Sequence, residues 1–200
     1  MDHLTESRGN DRMEAVPVFL EGVSDVAAVS SLARRRGLGL QKIRLVDLGG
    51  VTNIRRALVE SSRVGVAHDA LGLCDEGEAR FVLKALQAIG TPVDHVDELP
   101  HHGFFLCRSD LEEELIRALG TRRTVAVVER LGLRPKLTAL QQQPAWQGRP
   151  LAEQLHRFCG VASGRKELLA GELAAELEPG EEPEPLKQLL DRMSVASRRP

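Results

Sequence analysis

Val18-Phe19-Leu20-Glu21-Gly22-Val23-Ser24-Asp25 decides the reading of this chain. A short apolar run ends in a carboxylate and then a glycine. A helix starts at once, with a second carboxylate four residues after the first. In an open α/β sheet the carboxyl ends of the strands form the ligand-binding edge, which places Glu21 at its lip. Gly22 is expected to let the backbone turn sharply. Ser24 reads as a helix N-cap and Asp25 falls in the first turn, where negative charge is favoured. Two carboxylates converging on one point suit a hard divalent cation such as Mg²⁺. A strand end followed by a charged helix start accounts for the same residues.

Outward from this stretch, strands alternate with helices. The first strand is Val16–Leu20. The first helix runs from Ser24 to about Arg36, with Val26, Val29 and Leu32 on one face, and Gly37 ends it. A second strand, Ile43–Leu48, meets the turn Gly49-Gly50, and Ile54, Ala57 and Leu58 follow at helical spacing. The third strand ends at Leu71–Cys74; no element is assigned to 64–67. A helix over about Glu78–Ile89 places Phe81, Val82, Ala85, Leu86 and Ile89 inward. The fourth strand is Phe104–Cys107. Ser109-Asp110-Leu111-Glu112 is a capping-box pattern that opens a helix through Leu119. Such alternation implies a parallel sheet of about four strands with helices on both faces. Beyond about Arg122 the strand signal stops. Val125, Val128 and Leu131, then Leu151–Phe158, Lys166–Leu177 and Leu186–Met193, form a C-terminal helical extension.

The expected division is a disordered N-terminus over 1–13, an α/β domain over 14–122 and the extension over 123–200. An acidic, proline-rich and solvated linker is expected near 178–185. The length of 200 residues fits this plan. Aromatics are 3% with no Tyr, so the core falls to Leu, Val and Ala. A net charge of −2 gives no global basic signal, so nucleic acid would need a local patch or metal bridges. Cys74, Cys107 and Cys159 form no CxxC pair and read as buried small apolar residues. No apolar segment is long enough for a signal peptide or a membrane span, and a cytoplasmic location is expected.

The strand ends carry acids in order. The first delivers Glu21 and Asp25, the third Asp75, Glu76 and Glu78, and the fourth Asp110, Glu112 and Glu113. Carboxylates crowded on one edge repel unless a cation neutralises them or their pKa values rise. Mg²⁺ held by such acids suits phosphoryl chemistry. Other residues take structural readings. His101-His102 and His68-Asp69 lack a third ligand, Trp146 anchors the extension on the sheet, and Arg34-Arg35-Arg36 and Arg122-Arg123 are solvated helix ends.

Glu21-Gly22-x-Ser24-Asp25, Leu73-Cys74-Asp75-x-x-Glu78 and Asp110-Leu111-Glu112 together resemble the Toprim domain. The likeness is to the branch in OLD (overcoming lysogenization defect) nucleases, and it extends to Gly50-Val51-Thr52-Asn53-Ile54 and roughly to residues 16–170. It implies a Toprim-type, Rossmann-like α/β fold and Mg²⁺- or Mn²⁺-dependent cutting or nicking of DNA by two metal ions. It implies Glu21, Asp25 and Asp75 as metal ligands, with Asp110 and Glu112 completing the second site. It also implies a catalytic role for Glu21. Gly77 stands where the usual motif has its second aspartate, so on this resemblance Glu78 would have to substitute from one residue on. The family's downstream lysine is matched by Lys166 in Ser163-Gly164-Arg165-Lys166. The chain is too short for the ATPase domain of OLD nucleases. It reads as a free-standing unit working with a separate ATPase. Two other functions compete: a degraded Toprim module that binds nucleic acid or a protein, and a receiver-like phosphoacceptor, for which no lysine closely follows the fourth strand.

Overall fold

In the computed structural model, residues 15–161 and 163–198 are described. The proposed disordered segment at 1–13 lies outside them. Four strands form one all-parallel sheet: β1 (Val16–Leu20), β2 (Ile43–Asp47), β3 (Leu71–Asp75) and β4 (Phe104–Cys107), in the order β2-β1-β3-β4. Eight α-helices surround it among the described residues: α1 (Val23–Arg35), α2 (Ile54–Arg63), α3 (Ala79–Ala88), α4 (Leu111–Arg130), α5 (Arg134–Gln141), α6 (Leu151–Gly160), α7 (Ser163–Glu176) and α8 (Glu184–Ser197).

Strand alternation sends side chains to opposite faces, and two cores result. Val16, Val18, Leu20, Leu71, Leu73 and Phe105 pack with α1, α4, α6, α7 and α8. Phe19, Cys74 and Phe104 pack with α2 and α3. Leu169, Leu173 and Leu189 of the C-terminal helices share the first core with Val18 and Leu20. All three cysteines are buried and free. Gly72 makes room for this packing: a Cβ there would meet the Phe104 ring at 2.6 Å.

Register aligns the ligand edge. Leu20 lies opposite Leu73, and Asp75 opposite Cys107, so Glu21, Asp75 and Asp110 leave the sheet on the same side.

Several local expectations are corrected. Gly22, not Ser24, is the N-cap of α1. It makes no sharp turn: at φ −157° it is ordinary extended backbone, open to any residue. Asp25 takes the third helical position and accepts the Gly22 N–H at 3.2 Å, which satisfies one donor at the helix start. Asp110, not Ser109, caps α4, accepting the Glu113 N–H at 2.8 Å. That helix runs on to Arg130 through a bend at Gly120 (φ 73°). A further helix, α5, opens with Pro135 in its first turn. Phe81 points out, at 45% exposure. The segment near 178–185 is not simply solvated: Glu182 is buried and paired with Arg36 at 2.8 Å, and Glu178 and Glu181 meet Arg35 and Arg123. Those arginines are therefore clamps rather than solvated helix ends. Trp146 packs against the first core, with the guanidinium groups of Arg149 and Arg157 at 5.2 and 6.0 Å from its ring.

Candidate metal centre

Three of the acids named from the sequence converge. Glu21 follows β1, Asp75 ends β3, and Glu78 closes the short 3-10 turn Glu76–Glu78, with ligand oxygens all within 4.8 Å of one another. The turn after β2 holds the first of them in place, since the Gly50 N–H donates to the Glu21 carbonyl at 2.8 Å. Gly50 has φ 116°, a conformation that favours glycine.

Crowding shows in the protonation of the site. Burial pushes Asp75 up to about 8, helped by the charges of Glu21, Asp110, Asp25 and Glu78. Burial and a hydrogen bond with Glu21 push Glu78 up to about 7. Asp25 rises to about 6 through burial and the charges of Glu112 and Glu21. These are the signs of carboxylates that share a space and too little positive charge.

Asp25, Asp110 and Glu112 stand beside the triad. The carboxylate of Asp25 also accepts from the Ser24 hydroxyl at 3.4 Å. Glu112, in the first turn of α4, is 2% exposed, and burial raises its pKa. Its partner is Lys166 of α7, with Nζ 3.5 Å from Oε2. Burial pulls the Lys166 ammonium down, but Glu112, Asp25 and Glu21 outweigh it and the pKa rises. The lysine is thus a cation shared by several acids. The second oxygen of Glu112 and one oxygen of Glu78 are buried with no hydrogen-bond partner among the described residues. Buried acceptors are normally satisfied, so orphaned carboxylate oxygens mark a place where a cation fits.

Sequence reasoning missed His156. Its Nε2 lies 2.6 Å from Asp110 Oδ2, while Oδ1 caps α4, so this carboxylate is gripped at both oxygens. His156 also borders a cavity of about 540 Å³ between α4 and α6, lined by Ser109, Ile116, Arg117 and Thr121 among others. The two partners are 46 residues apart and nothing local signals the pairing. His101 and His102 sit in the 3-10 segment Val96–His102 before β4, and His68 with Asp69 in another, Ala67–Asp69. None of them joins a metal-ligand cluster among the described residues.

Neither a protein-family model nor a curated protein matches the chain. Solved structures do. It is similar to the C-terminal region of the Xanthomonas campestris pv. campestris OLD protein, at 24% identity and a TM-score of 0.67 over 93% of this chain and 97% of that one. It is also similar to the C-terminal region of the Burkholderia pseudomallei OLD protein, at 18% identity and a TM-score of 0.65 over 92% and 99%. The four-stranded, all-parallel α/β fold of this chain is of the Toprim type, shared with the C-terminal region of OLD proteins.

Proposed function

We propose that this chain is an OLD-family Toprim unit that cuts or nicks DNA by hydrolysing a phosphodiester with Mg²⁺ or Mn²⁺. The observation that carries the reading is the convergence of Glu21, Asp75 and Glu78 within 4.8 Å beside the buried, half-unpartnered Glu112. The donor set fits the group: it is all carboxylate oxygen, and hard divalent cations take oxygen ligands. Glu21, Asp75 and Glu78 would hold one ion. Asp25, Asp110 and Glu112 would hold a second, with His156 orienting Asp110. Bound there, the ions would activate water and neutralise charge on the phosphate.

The protein's own groups then divide the work. Glu21, whose charge acts on Asp25, Asp75, Glu78 and Lys166, takes the catalytic role as the ligand that neighbours them all. Lys166 offers a positive charge, free to turn from Glu112 to a phosphate oxygen as negative charge builds in the transition state. On this reading 14–122 is the Toprim domain, and the extension over 123–200 delivers Lys166 to its site. DNA and an ATPase domain or subunit are the partners, in the cytoplasm; no described helix is long and apolar enough to cross a membrane. Glu78 supports an active site over a degraded one, because it reaches the cluster although Gly77 replaces the usual acid.

The test is plasmid nicking with Mg²⁺, Mn²⁺ or EDTA, for the native protein and for Glu21→Gln. Nicking that needs metal and is lost in Glu21→Gln is expected. No nicking with either metal would leave a binding module.

A further inference from the structure

The chain has five phenylalanines. Phe19, Phe104, Phe105 and Phe158 are 4% exposed or less, and Phe81 is 45% exposed. The hydrophobic effect would place Phe81 inside, and α3 has a buried face for it, formed by Ala79, Val82, Ala85 and Leu86. Instead it stands on the outer face with Arg80 and Lys84, both exposed. Residues three and four apart share a helix face, so Phe81 and Lys84 belong to one exposed surface, with Arg80 one turn before Lys84. Neither cation forms an ion pair among the described residues, and α3 itself carries no acid. The arginines near the C-terminal helices, by contrast, pair with glutamates: Arg35, Arg36, Arg123 and Arg130 do so.

Position adds to composition. Glu78 of the acid triad precedes Phe81 by three residues, and α3 starts at the ligand edge of the sheet. Helix α2 starts at the same edge and shares a core with α3. Its exposed Arg55 and Arg56, also without an ion pair among the described residues, add two cations to that layer, with the exposed Glu60 one turn after Arg56. An exposed ring between cations, one turn from a phosphate-cleaving centre, matches how unpaired bases and their phosphates are held.

Resting on the nuclease reading above, we propose that the outer face of α3 holds an unpaired DNA strand entering the site. A base stacks on Phe81 and the phosphates on either side meet Arg80 and Lys84. The substrate is therefore a nucleic acid with single-stranded or frayed nucleotides beside the scissile phosphate. Bases inside an intact duplex are already stacked and offer no free face to this ring.

The experiment measures binding of a labelled oligothymidylate of about 15 nucleotides by fluorescence anisotropy in EDTA, which removes any metal contribution; stacking contributes enough per base for a clear readout. Phe81→Ala is expected to weaken binding about 10-fold and Phe81→Trp to retain it. A blunt duplex is expected to change less than about 2-fold with Phe81→Ala. Arg80→Ala and Lys84→Ala should each lower the slope of log affinity against log salt by about 0.7, the loss of one phosphate contact. Val195→Ala, at an exposed apolar residue next to the opposite edge of β3, serves as control and should change nothing. Circular dichroism checks that each variant is folded. Equal weakening toward single strand and duplex would overturn the stacking claim. Unchanged binding in Phe81→Ala, with a shift in self-association by sedimentation, would assign this face to a second copy of the chain and overturn it too. The two readings fail separately. Strand binding through Phe81 without metal-dependent nicking leaves this surface standing and removes the nuclease. Nicking by a Phe81→Ala protein that binds like the native one does the reverse.

Discussion

The two ends of α1 use charge in opposite ways. At its C-terminal end three acids each have a guanidinium. Arg36 reaches Glu182 at 2.8 Å and Asp191 at 2.6 Å, and Arg35 reaches Glu178 at 3.1 Å. Although burial opposes it, the Arg36 bond keeps Glu182 below the usual carboxylate range. At its N-terminal end Asp25 faces Glu21 and Glu112, and the ammonium that acts on all three is that of Lys166. There the pKa values of Asp25 and Glu112 rise. The same residue types form a clamp where charges match and leave room for a cation where they do not. Matching, rather than the presence of acids, separates structure from site.

The comparison breaks most sharply at Asp75 and Arg36. Asp75→Asn is expected to abolish metal-dependent nicking. Without metal it should keep or slightly raise stability, by up to about 1 kcal/mol, because Asn is neutral among the neighbouring acids without the proton that Asp75 must take up on folding. Arg36→Ala should do the reverse. It leaves Glu182 buried without its cation and should cost about 3 kcal/mol, or about 6–12 °C in Tm for a chain of this size. Thermal unfolding in EDTA and a nicking assay on both variants check the pair. A large loss of stability in metal-free Asp75→Asn would make that acid structural.

Lys166→Ala comes next. It should lower turnover about 100-fold as a lost transition-state contact, while Mn²⁺ affinity holds or rises, since a nearby cation repels the ion. Nicking rate and calorimetric Mn²⁺ affinity, taken together, decide it. Unchanged nicking would remove Lys166 from the chemistry.

A pH series sharpens the same contrast. Asp25, Glu78 and Asp75, at about 6, 7 and 8, hold protons in the folded, metal-free protein that the unfolded chain releases at lower pH. Folded pKa values above the unfolded ones mean stability that is full at about pH 4 and lost as pH rises to about 8. Tm in EDTA should fall across that window, and Asp75→Asn should flatten the fall. Saturating Mn²⁺ should reverse it, as the ion takes the place of the protons. A Tm that rises with pH in EDTA would contradict the crowded-acid account.

The smallest effect is expected at Gly77. A Cβ there meets nothing within 4 Å and its φ is not positive, so Gly77→Asp should fold as the native protein does. If Glu78 only partly replaces the missing ligand, the added acid should tighten Mn²⁺ binding by calorimetry. Weaker binding in a folded variant would count against Glu78 as the substitute.

What the sequence carried, and what it did not, follows the range of the interactions. β1 and β4 have the bounds read from the chain, because each is an apolar run closed by charge or turn residues. Glu21, Asp75 and Glu78 were legible as strand-end acids, since a parallel sheet sends such ends to one edge. α5 was missed although Pro135 marks its start. Phe81 was placed inward because it borders the apolar stripe of α3, and local spacing does not separate the rim of a stripe from its centre. The pairs Arg36–Glu182 and His156–Asp110 join residues 146 and 46 positions apart, and leave no trace in either local pattern.

The central claim is that the acid edge of the sheet is a divalent-cation site, and Mn²⁺ calorimetry on the EDTA-treated protein at pH 8 tests it most directly. The account expects saturable binding with release of protons, read from its dependence on the buffer, and loss of that binding in Glu21→Gln without loss of fold. No binding heat, or equal binding by native protein and Glu21→Gln, would contradict it.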